Sequence, residues 1–70
     1  KKIIIKIDVE GFELHVLKGL EKTLTNNICV LQIEIWKKTK DEVYKFLNSL
    51  NYKMICSIDG DSYFSNKTSN

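Results

Sequence analysis

The run Ile3-Ile4-Ile5-Lys6-Ile7 near the start of the chain constrains its fold more than any other segment. Isoleucines at successive positions point to both faces of a β-strand, so the run lacks the alternation of a strand with one face in water. Strands buried on both faces are typical of the interior of parallel sheets, which helices cover on either side. We therefore expect a parallel sheet in which this strand is interior.

An interior strand needs a neighbour on each side, and in this chain the run would have one on a single side only. We therefore expect that a preceding part of the protein has been removed. The free edge would present unpaired backbone groups beside apolar side chains, which is a template for pairing with another chain. Lys1, Lys2 and Lys6 add charge but leave Ile3 to Ile5 uninterrupted, so we expect self-association through residues 2 to 7.

Three carboxylates surround a glycine directly after this strand: Asp8, Glu10 and Glu13 lie around Gly11. Strands of open α/β sheets end in a crevice where loops hold polar groups, so this cluster is the strongest candidate for a ligand site. A purely structural interpretation stays open. In that case Asp8 would cap the turn, and Glu13 would complement the helix dipole from the first helical turn.

Apolar periodicity predicts two helices. The first covers residues 12–24, with Gly19 marking close packing or an early end of its first segment. The second begins with a capping box, in which the Thr39 hydroxyl bonds the amide three residues on and Glu42 reaches back. Asn51 is placed to end that helix in a left-handed conformation. The apolar faces consist of Leu14, Leu17, Leu20 and Leu24 in the first helix and Val43, Phe46, Leu47 and Leu50 in the second.

The remaining segments predict three more strands. Residues 28–36 alternate, with one face formed by Leu31, Ile33 and Ile35 and the other by Gln32, Glu34 and Trp36. Residues 52–58 and 62–65 flank Asp59-Gly60, a strong signal for a type I′ hairpin. The order is β-α-β-α-β-β, in which helix crossovers make the first three strands parallel and the hairpin makes the last antiparallel. This α/β domain covers residues 1–66, and residues 67–70 form a polar tail.

Composition narrows the partners and the compartment. The net charge is +2 and Arg is absent, which counts against nucleic-acid binding. No stretch is long and apolar enough to cross a membrane and no secretory signal is visible, so we expect a cytoplasmic protein without a membrane partner. Cys29 and Cys56 are expected to be buried thiols, although a disulfide stays open. A metal site based on imidazole is not expected, because His15 is the only histidine.

The chain resembles a known family at several points. A parallel sheet closed by one antiparallel strand is similar to the second half of the class I S-adenosylmethionine-dependent methyltransferase fold, in which the last strand inserts between the fifth and sixth. This implies a partial Rossmann-like sheet with strand order 1-2-4-3. The segments that resemble the carboxyl-terminal half of FkbM-type methyltransferases are Ile7-Asp8-Val9-Glu10-Gly11-Phe12-Glu13-Leu14, Val16-Leu17-Lys18-Gly19 and Leu31-Gln32-Ile33-Glu34-Ile35. Asn51 departs from the family, which usually has Gly there.

The resemblance implies methyl transfer from S-adenosylmethionine to a hydroxyl of a small molecule or glycan. Asp8 would orient or deprotonate that hydroxyl, and Glu10 and Glu34 would line the same crevice as further catalytic acids. Gly11, by a sharp backbone turn, and Glu13 would contribute to substrate binding. The glycine-rich loop and the acid that hold the cofactor in this fold have no counterpart here. The cofactor would therefore bind only to the full-length protein, and this chain alone would be inactive.

Two other classes of function stay open. Glu10-Gly11 and Asp59-Gly60-Asp61 would suit a Toprim-like magnesium-dependent nucleic-acid enzyme, in which three acids hold the metal and a phosphate. The absent Arg and the hairpin signal count against it. The other class is a non-enzymatic α/β interaction module that pairs through its sheet edge. Magnesium titration would identify the first, and concentration-dependent association would support the second.

Overall fold

A computed structural model describes residues 2–8 and 11–67 of the 70-residue chain. The elements in this part of the chain are β1 (Lys2–Ile7), α1 (Glu13–Gly19), α2 (Glu21–Asn26), β2 (Ile28–Glu34), α3 (Lys40–Ser49), β3 (Lys53–Ile58) and β4 (Asp61–Ser65). The predicted order of strands and helices is confirmed, with the first helix divided in two.

The strands form a single sheet in the order β1-β2-β4-β3, which confirms the predicted strand order. β2 is parallel to β1, with Lys2 opposite Ile28 and Ile7 opposite Ile33. β4 is antiparallel to both β2 and β3, so it alone runs in the reverse direction. The carboxyl ends of β1 and β2 therefore lie at the same edge of the sheet.

The hydrophobic core lies on one face of the sheet and contains residues from all three helices. Its buried side chains are Ile7, Leu17, Leu24, Cys29, Leu31, Ile33, Val43, Leu47, Tyr52 and Phe64. Ile3 and Ile5 pack against this core, whereas Ile4 points to the opposite face and is 79% exposed. Within the described residues β1 pairs with β2 alone, as expected for a strand with one neighbour in this chain.

The first predicted helix breaks at Leu20, one residue after Gly19. α1 ends at Gly19 and α2 begins at Glu21. The Leu20 N–H still donates to the carbonyls of Val16 and Leu17, so the break interrupts the helix without leaving this donor unsatisfied. The expectation that Gly19 marks an early end of the first segment is confirmed.

The capping box predicted for α3 is wrong, because the Thr39 side chain makes no capping hydrogen bond to its own helix. The Thr39 hydroxyl instead donates to the Glu13 carboxylate of α1. The other end of α3 is as predicted, since Asn51 has a φ of 66°. There the Asn51 N–H donates to the Asn48 carbonyl and the Tyr52 N–H to the Leu47 carbonyl, which together form a Schellman motif.

The hairpin between β3 and β4 has the predicted turn, with φ values of 50° at Asp59 and 87° at Gly60. Type I′ turns require positive φ at both central residues. β2 is shorter than predicted and ends at Glu34, because the neighbouring strands offer no partners beyond that residue. The last pair with β1 is Ile33 and Ile7, and the last pair with β4 is Glu34 and Asp61. Ile35 and Trp36 therefore belong to the loop that follows.

The cysteines are both free thiols, so the disulfide alternative is excluded. Cys29 is buried as predicted, but Cys56 lies exposed on β3, whose side chains remain accessible along the whole strand. The prediction of two buried thiols is therefore wrong for Cys56. Among the described residues, no helix has the length and apolar character needed to cross a membrane.

Candidate active site

Two of the predicted catalytic acids lie side by side at one edge of the sheet. Ile7 and Ile33 are partners in the last pair of the parallel ladder, and Asp8 and Glu34 follow them directly. Both acids are exposed to solvent. The structure thus brings two carboxylates from neighbouring strands to one edge, where an approaching ligand could contact both. The third predicted acid, Glu10, lies outside the described residues.

A further carboxylate reaches this edge from β4. Asp61 is opposite Glu34 in the antiparallel pair of β2 and β4, and it accepts a hydrogen bond of 2.9 Å from the Gln32 amide. From sequence, Asp61 is a candidate only for the alternative metal site. Its place beside Glu34 follows from the insertion of β4 next to β2, which no local pattern around Asp61 reveals.

Glu13 occupies a different environment from the exposed acids. Its side chain is 0% exposed, in the first turn of α1. One carboxylate oxygen accepts a hydrogen bond of 2.5 Å from the Gly11 N–H, and the other accepts one of 2.9 Å from the Thr39 hydroxyl. Both oxygens therefore face partners within the chain and not solvent.

Gly11 makes the turn between the strand end and α1. Its φ is +101°, a conformation that side chains rarely adopt, and a Cβ added there would meet no atom within 4 Å. The requirement for glycine is therefore a matter of backbone conformation and not of space. The sharp turn expected at Gly11 is confirmed, and it directs the Gly11 N–H at Glu13.

Thr39 is a site residue for which the sequence predicts only a helix cap. Its hydroxyl also approaches the Trp36 carbonyl at 3.3 Å, and its N–H donates to the same carbonyl at 3.0 Å. The loop after β2 is thereby folded back towards Glu13. A signal in the sequence could have suggested this contact. It is a hydroxyl in the loop after one strand together with a carboxylate in the first helical turn after the neighbouring strand.

Two aromatic side chains lie near these acids and remain accessible. Phe12, which follows Gly11, is 69% exposed, and Trp36, in the loop after β2, is 44% exposed. Each exposed ring offers a large, rigid apolar area to a ligand. The loop after β1 therefore carries Asp8 and Phe12, and Trp36 lies two residues after Glu34, the last residue of β2.

The edge of the sheet that carries Asp8, Glu34 and Asp61, here called the acidic edge, is open in the described part of the chain. A cavity of about 620 Å³ lies elsewhere, beside the ends of α2, α3 and β4, and is lined by Thr25, Asn51, Lys53 and Asn66 among others. The opposite end of the sheet is basic. There the neighbouring Lys2 lowers the pKa of the Lys67 amine. The largest cause is a hydrogen bond between the two side chains, and the next is charge repulsion. The sheet is therefore acidic at one end and basic at the other.

The alternative metal site receives no support from the geometry that is described. In residues 2–8 and 11–67, no three His, Cys, Asp or Glu side chains are close enough together to hold a metal ion. Asp59 and Gly60 form the hairpin turn. Glu10, which this alternative also requires, is outside these residues.

Comparison with known proteins gives one match. The family model described as the Methyltransferase FkbM domain matches residues 2–54. That segment begins with β1, includes Asp8, Glu34 and α3, and ends in β3. No curated protein and no solved structure matches the chain significantly.

Proposed function

We propose that this chain, which belongs to the FkbM methyltransferase family, forms the acceptor side of a methyltransferase domain that uses S-adenosylmethionine. The reaction would be O-methylation of a hydroxyl on a small molecule or glycan. The observation that carries this proposal is the pair Asp8 and Glu34, which follow paired residues at the carboxyl ends of two parallel strands. Ligands of open α/β sheets bind at this edge.

Asp8 is proposed as the residue that orients the acceptor hydroxyl and takes its proton. A hydroxyl oxygen becomes a better nucleophile as its proton leaves, and a carboxylate within hydrogen-bond distance can accept that proton. Glu34, on the neighbouring strand end, would bind other polar groups of the acceptor and so hold the hydroxyl in line. Glu10 is proposed for the same role as Glu34.

The two exposed rings support an acceptor with an apolar or ring-shaped face. Phe12 lies in the same loop as Asp8, and Trp36 lies two residues after Glu34. Sugar rings and small aromatic alcohols carry hydroxyls beside flat apolar surfaces, and such surfaces pack well on aromatic side chains. We therefore favour a cyclic acceptor over a linear one.

The described residues do not by themselves form a binding site for S-adenosylmethionine. The one glycine at this edge, Gly11, uses its N–H to bind Glu13, and the carboxylate of Glu13 is fully engaged. No residue of this chain is therefore assigned to the cofactor, which we propose binds to another part of the full-length protein. Titration calorimetry with the 70-residue chain should give no saturable heat at millimolar cofactor, and saturable heat would contradict this assignment.

We place the reaction in the cytoplasm. Cys29 and Cys56 are both free, and free thiols are typical of proteins in reducing compartments. Secretion of the full-length protein in active form would contradict this placement.

The test of the proposed function is Asp8→Asn in the complete methyltransferase domain. Loss of a general base lowers turnover by about 10²–10⁴-fold, and we expect the affinity for S-adenosylmethionine to stay unchanged. Glu21→Gln is the matched control, since Glu21 is an exposed acid of α2, the helix that leads to the opposite end of the sheet. Loss of cofactor binding with turnover intact would show that Asp8 lies on the cofactor side.

A further inference from the structure

We propose that Glu13 and Thr39 form a clamp that positions the loop after β1 against the loop after β2. The clamp consists of the Glu13 carboxylate, the Gly11 N–H and the Thr39 hydroxyl. Its importance for catalysis rests on the proposed function, because the two loops carry Asp8 and both rings, and Glu34 directly precedes the second loop. Glu13 would then be a positioning residue and would not contact substrate.

The geometry of the clamp links distant parts of the chain through one side chain. Gly11 donates to one Glu13 oxygen at 2.5 Å, within the same loop. Thr39, at a sequence separation of 26, donates to the other oxygen at 2.9 Å. A single carboxylate therefore joins the turn at the end of β1 to the start of α3.

Burial explains why this link should be rigid. Glu13 is 0% exposed, and a carboxylate out of water is tolerated only when hydrogen bonds replace its hydration. Hydrogen bonds to an ionised group are shorter and stronger than those between neutral groups. Among the described residues, every buried side-chain nitrogen or oxygen has a partner, so the clamp meets this requirement. Opening it would leave a buried charge without a donor.

The hydrogen bonding of the Thr39 hydroxyl also supports a role in holding the two loops together. Thr39 is the residue before α3, where a threonine side chain ordinarily caps the helix, and it makes no such bond. A hydroxyl has one proton to donate, and the 2.9 Å contact to the Glu13 carboxylate is closer than the 3.3 Å contact to the Trp36 carbonyl. The hydroxyl proton is thus used in the contact between the two loops.

The residues held by the clamp are the neighbours of the candidate site. Gly11 lies between Asp8 and Phe12 in the loop after β1. The Thr39 N–H binds the Trp36 carbonyl at 3.0 Å, which ties the loop after β2 to the same point. Fixing Gly11 and Thr39 relative to each other therefore limits the relative movement of both rings and of Asp8.

The test uses the 70-residue chain, the variant Thr39→Val and amide hydrogen exchange followed by NMR. Valine keeps the shape of threonine and removes the donor, so we expect the Gly11 amide to exchange about tenfold faster, the effect of losing one hydrogen bond to a charged group. The Leu31 amide in the centre of β2 should exchange at the wild-type rate. Thr39→Ser restores the hydroxyl and should restore the slow exchange of Gly11.

The matched control is Thr25→Val, because the Thr25 hydroxyl is exposed and binds only within its own helix, to the Glu21 carbonyl. It should leave Gly11 exchange unchanged. Equal acceleration at Gly11 and Leu31 in Thr39→Val would mean a general loss of stability and would overturn the clamp, as would no change at Gly11.

A second readout covers the case in which Thr39→Val does not fold. Glu13→Gln keeps the size of the side chain but removes the charge, so the Gly11 amide proton should move upfield from its strongly hydrogen-bonded position. An unchanged Gly11 resonance would contradict the clamp. Because neither readout involves turnover, failure of the clamp and failure of methyl transfer are separate results.

Discussion

The Tyr52 hydroxyl donates a hydrogen bond of 2.8 Å to the Leu24 carbonyl. Tyr52 lies just before β3 and is 2% exposed, whereas Leu24 belongs to the short helix α2. The Asn66 amide approaches the same carbonyl at 3.4 Å and binds the Asn27 carbonyl at 2.8 Å. The end of α2 is therefore held by side chains that come from the far end of the chain.

Tyr52→Phe should lower the free energy of unfolding by about 1–2 kcal/mol, because it removes the hydroxyl and leaves a buried carbonyl with a weaker partner. Urea denaturation measures the change. Tyr63→Phe is the matched control, since it removes the same atom from the open face of the sheet, and its effect should stay within about 0.5 kcal/mol. Equal effects of the two substitutions would show that the Leu24 contact contributes nothing.

Stability should also fall at high pH because of Tyr52. Burial raises the pKa of Tyr52 well above its ordinary value, and the neighbouring Cys29 raises it further. The folded state therefore keeps the phenol protonated where the unfolded chain ionises, so stability is fully present below about pH 10 and declines above it. Denaturation of wild type and Tyr52→Phe across pH 8 to pH 11 measures this. Parallel pH profiles would contradict the assignment.

Asn51 offers a stabilising substitution. Its φ of 66° is the left-handed conformation, in which glycine has no steric cost. Asn51→Gly should raise the free energy of unfolding by up to about 1 kcal/mol, and Asn51→Ala should lower it by about 1 kcal/mol. Asn48→Ala, on the exposed side of α3, is the control and should have little effect. The idea is wrong if alanine and glycine at position 51 give the same stability.

Two copies of the chain are proposed to pair in antiparallel orientation through the edge of β1 that pairs with no strand in the described part of the chain. With Ile4 at the centre, Lys2 would lie opposite Lys6 of the second copy, and like charges in opposite positions are unfavourable. With Ile5 at the centre, Lys2 lies opposite Asp8 instead. The basic and acidic ends of the sheet then meet, so we expect this second register.

Charge reversal tests that register. Lys2→Glu and Asp8→Lys should each weaken the dimer by up to about tenfold, because each creates two like-charge pairs, and the double variant should regain wild-type affinity. Analytical ultracentrifugation over a concentration series measures the association. A wild-type chain that stays monomeric at high concentration would exclude the pairing, and single variants without effect would exclude the register.

Local chemistry determined much of the fold. The Asp59-Gly60 turn and the left-handed Asn51 are predictable because few residues tolerate positive φ, so their sequence signals depend on no distant contact. The helices and strands follow from apolar spacing in the same way. The position of β4 between β2 and β3 came from resemblance to a known fold, as did Glu34 and the roles of the individual acids. The acid cluster around Gly11 was predictable from its place after a strand.

Only the tertiary structure decided the hydrogen-bond partners of the polar side chains. The sequence places Thr39 correctly before a helix, but the structure shows two acceptors near its hydroxyl proton, the Glu13 carboxylate and the Trp36 carbonyl. The carboxylate is the closer and the stronger acceptor. The length of β2 and the exposure of Cys56 likewise depend on which strand lies alongside and which face the helices cover. Periodicity and turn chemistry act over a few residues and so are written in the sequence, whereas a contact across 26 residues exists only once the sheet has brought its ends together.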